Sequence, residues 1–442
     1  MRYQSAIVRR PLALAPRPFE IARRLASRPG LALLVSADSA APHGRFSYAA
    51  SDPVELASGL DPAPGRPAPD GAAGSRAPWW IGILPYEAQR ARLERRSWSR
   101  PEARPAPLCA DSEWRRYDAV IEVDHAAHEV HVVADDEAAA ARLELRMAEA
   151  AAEASDYRLE VREDEPPELH VARVRELIER IYDGELYQAN LARRLRVELE
   201  PCAPLQVLAA AEALTTAFPT AFGAVLRTSS GWVISMSPEL LLDAEPSADA
   251  RAFSRLATEP IKGTRRRATD PRLDEQLVRE LDADEKERAE LAMILDVERN
   301  DLCRVCEPGS TVVSIPPHVV THSTLHHRVA RVEGRVRSGA SRREVLEAIV
   351  PSGSVTGAPK VRAMEVIAEL EPMRRGLYTG GLGLLARDGS LRLSMAIRTV
   401  VLDQRGRGEY LVGGGIVADS DPERELEETR VKAAQFFSPR AR

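Results

Sequence analysis

A single lysine stands between a proline and a glycine in the segment PIKGT at residues 260–264. A lysine that acts inside a cleft needs small neighbours, so that a substrate can approach its amine. Partial burial would favour the neutral amine, which is the nucleophilic form. The segment is typical of a strand end that leads into a turn. Lys262 is therefore a candidate nucleophile or charge partner, although the segment alone also fits an ordinary turn lysine.

Two pairs of glutamates are spaced so that both members lie on one face of a predicted helix. Glu287 and Glu290 form the first pair, and Glu425 and Glu428 form the second. Like charges at this spacing destabilise a helix unless something offsets them. Two such pairs could converge on one divalent cation, and Mg²⁺ suits a site of a few carboxylates. The alternative is two charged helices whose glutamates face solvent.

Several turns and isolated polar residues also fit a binding site. The segment PSGSVTGAPK (351–360) leads into a helix, and free backbone amides at such a point suit an anion. Three glycines at 413–415 weaken a strand, which indicates a close approach to that backbone or a bulge. Arg398 lies among apolar residues and needs a carboxylate partner from the protein or a ligand. His327 lies in a predicted strand, where a histidine is more often structural than catalytic.

Hydrophobic periodicity predicts an α+β protein rich in antiparallel strands. The first 160 residues are expected to be strand-rich, and 156–168 to be a linker. A Pro/Gly/Ala-rich stretch at 61–78 is predicted to be a loop. Helices are predicted at 168–190, 272–305, 341–349, 359–371 and 421–437. Strands are predicted at 31–36, 120–135 (as a hairpin), 190–199, 221–228, 231–236, 240–245, 310–314, 381–386, 391–402 and 409–417.

Composition narrows the class of protein. The chain has 442 residues, a net charge of −6 and no basic block, so a nucleic-acid partner is not indicated. No apolar run reaches the length of a membrane span, and no signal peptide is evident, which predicts a cytoplasmic protein. Four cysteines do not make a disulfide framework. Cys303 and Cys306 are expected to be small core residues one helical turn apart.

Residues 168–437 resemble the chorismate-utilising enzymes. The matching stretches occur in family order and are YQANLARR, SMSPELLL, PIKGTRRR, DEKERAELAMILDVERNDLCRVC, HSTLHHRV, PSGSVTGAPKVRAMEVIAELEP, YTGGLG, AIRTV and GGGIVADSDPERELEETRVKAA. The resemblance implies a fold like that of anthranilate synthase component I. In this fold two large antiparallel sheets form a sandwich, with helices outside and a deep central cleft. Residues 168–437 would be the chorismate-binding catalytic domain, and 1–160 an integrated strand-rich subdomain.

The resemblance also implies roles for individual residues. Glu287, Glu290, Glu425 and Glu428 would hold Mg²⁺, which anchors the ring carboxylate of chorismate. Substrate contacts would come from Gln188, Thr264, Ser354, Thr356, Tyr378, Arg398, Gly414, Gly415 and Lys432. His327 would lie near the reacting face. Glu239 would act as the general acid and base.

Two positions select a branch of the family. Gln188 stands where the isochorismate and salicylate enzymes have a lysine that activates water, and an amide cannot act as a base. Lys262 is typical of the aminodeoxychorismate synthases, where anthranilate synthases usually have alanine.

The expected reaction is amination of chorismate, with ammonia from a separate glutaminase subunit, on the route to p-aminobenzoate and folate. The alternatives are an anthranilate synthase component I and a non-catalytic homologue that binds chorismate or an amino acid. The family's tryptophan motif, Leu-Leu-Glu-Ser, reads LLVS here, with Val35.

Overall fold

The computed structural model describes residues 7–15, 17–39, 41–69, 71–72, 74–89, 104–153 and 156–437. These residues form twenty-two strands, nine α-helices and two short 3₁₀ turns, Tyr86–Gln89 and Gly353–Val355. The strands are β1 (Val8–Leu12), β2 (Ala32–Val35), β3 (Phe46–Ala50), β4 (Glu55–Ala57), β5 (Pro78–Leu84), β6 (Glu113–Arg116), β7 (Ala119–Asp124), β8 (Glu129–Ala134), β9 (Arg158–Glu163), β10 (Gln188–Glu200), β11 (Phe222–Arg227), β12 (Gly231–Ser237), β13 (Leu240–Pro246), β14 (Phe253–Glu259), β15 (Ile261–Arg266), β16 (Val312–Thr321), β17 (Leu325–Arg335), β18 (Gly357–Ala358), β19 (Gly381–Ala386), β20 (Leu391–Met395), β21 (Thr399–Asp403) and β22 (Arg407–Ile416). The helices are α1 (Pro18–Arg24), α2 (Glu137–Met147), α3 (Pro167–Tyr182), α4 (Pro204–Ala217), α5 (Pro271–Ala283), α6 (Glu285–Cys303), α7 (Arg342–Ile349), α8 (Lys360–Leu370) and α9 (Pro422–Phe437).

The strands form two large antiparallel sheets. Sheet A has twelve strands in the order β1-β8-β7-β3-β2-β11-β12-β21-β22-β10-β18, with β9 paired to β10. Sheet B has ten strands in the order β15-β17-β14-β13-β20-β19-β5-β6-β4, with β16 paired to β17. The predicted strand at 391–402 is two strands, because β20 belongs to sheet B and β21 to sheet A.

The sheets pack face to face with helices outside. Ala32 and Val233 of sheet A meet Ile81 and Leu382 of sheet B in one buried cluster. Helices α1, α2, α4 and α9 pack on sheet A, while α6 and α7 pack on sheet B. A separate apolar cluster joins α3 and α8 to β10. The predicted α+β sandwich is therefore confirmed, and its stability comes from apolar area buried on both faces of each sheet.

The predicted helix at 272–305 is interrupted at Asp284. This residue has an extended backbone, with φ −65° and ψ 108°, and it ends α5 and caps α6. Its Oδ1 accepts a hydrogen bond from the Glu287 amide at 3.1 Å. An aspartate that satisfies a free amide in this way favours a new helix start over continuation. The break lets α6 take its own direction against sheet B.

The first 160 residues contribute strands to both sheets. Strands β1, β2, β3, β7 and β8 lie in sheet A, and β4, β5 and β6 lie in sheet B. The predicted linker at 156–168 is wrong, because β9 pairs with β10 and α3 begins at Pro167. The described part of 61–78 before β5 is irregular, as predicted. Within the described residues, no helix combines the length and apolar character that a membrane crossing requires.

Candidate active site

Lys262 lies within strand β15, which corrects the prediction of a strand end and turn. Strand β15 pairs with β17, and the register shifts between Lys262 and Thr264. Gly263 occupies this bulge with φ +80°, a conformation that favours glycine. A Cβ at this position would lie 2.7 Å from Leu281 Cδ1. The glycine therefore lets the bulge present the half-buried Lys262 while α5 packs closely behind it.

Glu239 lies between β12 and β13 and is 6% exposed. Its Oε1 is 3.1 Å from Ser354 Oγ, and the Ile261 amide also donates to this carboxylate. Burial raises the pKa of Glu239 to about 7, against the opposing effects of Lys262 and these hydrogen bonds. A carboxyl group with a pKa near neutrality can both give and take a proton. Glu239 thus has the protonation behaviour of a general acid and base, and it lies beside Lys262.

The four predicted metal ligands, Glu287 and Glu290 on α6 with Glu425 and Glu428 on α9, form a four-glutamate group. Helix α9 begins as predicted, since Asp421 Oδ1 accepts from the Arg424 amide at 2.8 Å. Two glycines make room for these carboxylates. A Cβ at Gly414 would lie 3.1 Å from Glu425 Oε2, and one at Gly263 would lie 3.2 Å from Glu287 Oε2.

Electrostatic repulsion is built into the four-glutamate group. Burial raises the pKa of Glu290, and Glu428 and Glu425 act in the same direction. Burial likewise raises the pKa of Glu287 and of Glu425, with neighbouring glutamates adding to it. Burial also raises the pKa of Glu428, but the positive charges of Lys432, Lys286 and Lys262 outweigh this effect. The net shift of the Glu428 pKa is therefore downward. A cation near these four carboxylates would reduce the repulsion between their negative charges.

Carboxylate oxygens are the donors that Mg²⁺ prefers, and mutual repulsion is what a bound cation would relieve. The four-glutamate group fits Mg²⁺ by this test. Nevertheless, no three His, Cys, Asp or Glu side chains among the described residues already stand close enough to hold a metal ion. Lys286 Nζ lies 3.8 Å from Glu290, and Lys432 Nζ lies 2.6 Å from Glu428. The lysines therefore supply part of the compensating charge.

His327 and Arg398 line a partly open cavity between the two sheets. The His327 Nδ1 is 2.9 Å from the Thr264 hydroxyl. Burial, with nearby Arg398 and His322, lowers the pKa of His327 to about 3, so its ring is neutral at physiological pH. Lys262 and the four-glutamate group are not among the residues that line this cavity. The structure therefore divides the predicted site residues into two neighbouring groups, which Thr264 on β15 connects.

Arg398 is a half-buried arginine with an unusual backbone conformation. It lies between β20 and β21 with φ 50°, a left-handed conformation that is strained for arginine. Among the described residues its guanidinium forms no ion pair, and burial lowers its pKa. A strained, half-buried cation of this kind is suited to a carboxylate on a bound molecule. The substrate contact that the sequence predicts for Arg398 stays a prediction.

The remaining predicted residues are buried or half-buried. Tyr378 is 7% exposed and packs near Arg375, and Gln188 is 1% exposed. A Cβ at Gly415 would collide with the Gln188 side-chain nitrogen. The group that closely approaches the backbone at Gly415 is therefore a side chain of the protein itself. The Thr356 hydroxyl donates to the Ser352 carbonyl at 2.9 Å, and Lys432 Nζ donates to the Gly413 carbonyl at 2.9 Å.

Sequence reasoning missed a buried ion pair beneath the site. Arg375 and Glu371 are paired at 2.7 Å, and their side chains are 1% and 0% exposed. Arg375 also donates to the carbonyls of Val355 and Asn190, at 2.9 and 2.7 Å. It thereby ties the turn that carries Ser354 to strand β10. The spacing of four residues in a polar stretch gives no sign of this burial, because surface pairs show the same spacing.

Two minor predictions have mixed outcomes. Cys306 is buried, but Cys303 is exposed at the end of α6, so only one of the two cysteines is a core residue.

A second, partly open cavity is lined by Val35, Tyr48, Asp243 and Arg392 among others. Val35 places an apolar side chain there, where the family's tryptophan motif would place a carboxylate.

Residues 40–438 match the family model described as chorismate binding enzyme. The chain belongs to this family. It is 45% identical over 259 residues to an anthranilate synthase component 1 of Haloarcula marismortui, in a match that covers 58% of this chain and 50% of that protein. It is 39% identical over 259 residues to aminodeoxychorismate synthase component 1 of Salmonella typhimurium, with 59% and 54% covered. The chain thus spans about half the length of these two relatives.

The fold similarity extends over nearly the whole chain. Anthranilate synthase component I from Streptococcus pneumoniae superposes with a TM-score of 0.74 at 26% identity. This comparison covers 90% of the present chain and 93% of the other. The predicted fold class is confirmed, while the relatives divide between two activities.

Proposed function

We propose that this chain is the chorismate-aminating component of an aminodeoxychorismate synthase. It would convert chorismate and ammonia to 4-amino-4-deoxychorismate. The observation that carries this proposal is that Lys262 lies close enough to Glu239, Glu290 and Glu428 for its positive charge to act downward on the pKa of each. Ammonia would come from a separate glutaminase subunit, in keeping with relatives that are named component 1.

The proposed reaction uses Lys262 as the nucleophile and Glu239 as the acid and base. The neutral Lys262 amine forms a bond to C2 of chorismate while the C4–O bond breaks and the ring double bonds shift. Glu239 gives its proton to the departing hydroxyl, which leaves as water. Ammonia then bonds to C4, the double bonds shift back, and the C2–N bond breaks to release Lys262. The proton that the Lys262 nitrogen loses after bonding to C2 returns to Glu239, and a proton from the bound ammonia passes to the departing Lys262 nitrogen, which leaves as a neutral amine.

The other residues would bind and orient the substrate. Arg398, whose guanidinium forms no ion pair with the residues that the structure describes, would hold a carboxylate. The neutral His327 and Thr264 would contact the ring face through the inter-sheet cavity. The four-glutamate group would hold Mg²⁺, which supplies positive charge for the ring carboxylate. Gln188 is an amide at the position where water would otherwise be activated, which supports amination over hydration.

Added Mg²⁺ is expected to stabilise the protein through the four-glutamate group. A ligand that binds only the folded state raises the melting temperature as its concentration rises. Differential scanning calorimetry with increasing MgCl₂ should therefore show a progressive rise for the wild type, at constant ionic strength. The rise should be lost in Glu425→Gln. Glu427→Gln, on the exposed side of the same helix near Arg430, is the matched control and should behave as the wild type. Equal shifts in both variants would contradict the proposed site.

Product identification tests the proposed function directly. Purified protein is incubated with chorismate, MgCl₂ and ammonium, and the products are separated by chromatography with mass detection. We expect 4-amino-4-deoxychorismate, which an added lyase converts to p-aminobenzoate. Anthranilate would instead support the second candidate function, which the 45% identity to an anthranilate synthase component 1 favours. Chorismate binding without any turnover would support a non-catalytic role.

A further inference from the structure

A second buried carboxyl group lies behind Glu239. Glu298 on α6 is 4% exposed, and the mechanism above does not use it. Its Oε1 is 2.9 Å from Ser352 Oγ. The Ser352 and Ser354 hydroxyls are 3.1 Å apart, and Ser354 Oγ is 3.1 Å from Glu239 Oε1. The two carboxyl groups are therefore joined by a continuous chain of two buried hydroxyl groups.

The number of protons in this chain decides whether all of its contacts are hydrogen bonds. Each hydroxyl group has one proton to donate. If both carboxyl groups were ionised, Ser352 and Ser354 would each donate to a carboxylate, and the contact between the two serine oxygens would have no proton. With one carboxyl group protonated, every contact has a donor and an acceptor. The Ser354 amide, which donates to Ser352 Oγ at 3.0 Å, fits the same arrangement.

The charged surroundings also favour a single shared negative charge. Burial raises the pKa of Glu298 to about 8, and Glu239 adds to the rise. Asp301, one turn further along α6, acts in the same direction but is paired with Lys360 at 2.9 Å. Thr258 on β14 and Ser352 oppose the shift. Lys262 is close to the Glu239 end of the chain, where its positive charge opposes the rise in pKa.

We propose that Glu298 is a positioning residue that shares one proton with Glu239 through Ser352 and Ser354. This inference rests on the proposed role of Glu239 as acid and base. Before the hydroxyl departs, Ser354 passes its proton to Glu239, Ser352 passes its own to Ser354, and Glu298 gives the shared proton to Ser352. One proton moves from Glu298 to Glu239, and both hydroxyl groups reverse their orientation. Glu239 then gives this proton to the departing hydroxyl, and the pair regains one proton when the Lys262 nitrogen returns its own to Glu239.

The first test is the pH dependence of amination in Glu298→Gln. Without the second carboxyl group, Glu239 loses both its proton partner and a like charge. The alkaline limb of kcat should move down by about one pH unit. The rate at pH 8.5 should then fall about tenfold, with KM for chorismate little changed. The matched control is Glu122→Gln. Glu122 is also a buried glutamate, but it lies on β7 of sheet A, and this variant should keep the wild-type profile. An unchanged profile in Glu298→Gln would overturn the proposal.

The second test needs no turnover and therefore separates this inference from the proposed function. Infrared difference spectra during a pH titration report the carbonyl stretch of protonated carboxyl groups in the resting protein. The wild type should lose one such band near neutral pH, and Glu298→Gln should lose it at lower pH. Ser352→Ala, which removes one hydroxyl group and retains both carboxyl groups, should give two independent transitions. If all three proteins titrate alike, the relay is wrong even if the amination product is found.

Discussion

Replacing Lys262 with alanine is expected to lower kcat for ammonia-dependent amination by about a hundredfold or more, because the covalent step loses its nucleophile. The loss should be measured with ammonium as the nitrogen source, so that no partner subunit is involved. KM for chorismate should change little, since Arg398 and the other proposed contacts remain. Undiminished activity of Lys262→Ala would defeat the assignment of a nucleophile.

Lys286→Ala is the matched control for this variant. Lys286 also lies close to Glu290, Glu425 and Glu428, but it is on the exposed side of α6 and does not face Glu239. The Lys286→Ala substitution removes one positive charge near the four-glutamate group, as Lys262→Ala does. It leaves the Lys262 amine on β15 in place. Intact-mass measurement adds an independent readout. In the absence of ammonium, wild type should gain the mass of chorismate less one water, and Lys262→Ala should not.

The second large effect is expected for Glu239→Gln, which should lower kcat by about 10²- to 10⁴-fold, as for loss of a general acid. The same substitution should stabilise the protein at alkaline pH. Burial raises the pKa of Glu239 from its ordinary 4.5 to about 7. The stability that this raised pKa contributes is therefore complete below pH 4.5 and is lost as pH rises through 7. The amide does not ionise and avoids this loss.

The free energy of unfolding in urea, measured at pH 4.5 and at pH 8, tests the stability effect. Relative to wild type, Glu239→Gln should gain about 3 kcal/mol on going from the lower to the higher pH. Glu245→Gln, at an exposed position of β13, should show no such pH-dependent difference. A Glu239→Gln protein that loses stability at both pH values alike would mean that the carboxyl group is ionised in the folded state.

Local periodicity and spacing predicted an α+β protein rich in antiparallel strands and the two glutamate pairs, whereas the two-sheet sandwich with outer helices was implied by the resemblance to the chorismate-utilising enzymes. The sequence did not predict the bulge at Gly263, since a bulge depends on the register of β15 against β17. The break at Asp284 was missed for a similar reason. Aspartate occurs within helices and at their caps, and packing on sheet B decides between the two.

The buried polar connections could not be predicted from one sequence. Glu298 and Glu371 look like the solvent-facing glutamates around them, yet the fold places both in the interior. Ser352 and Ser354 were recognised as parts of an anion-binding turn, whereas in the structure their hydroxyl groups join two carboxyl groups. Such contacts depend on the relative placement of α6 and the 351–360 turn, which no local pattern encodes.

Strand β22 lies between β21 and β10 in the interior of sheet A, although it comes last in chain order among the described strands. Until it is inserted, β21 and β10 each present an unpaired edge, and such edges readily pair with other chains. The helix that follows carries Glu425 and Glu428. Because these pairings join distant parts of the chain, folding is expected to be slow and sensitive to concentration. During synthesis, an incomplete chain would therefore expose aggregation-prone edges and lack part of the four-glutamate group.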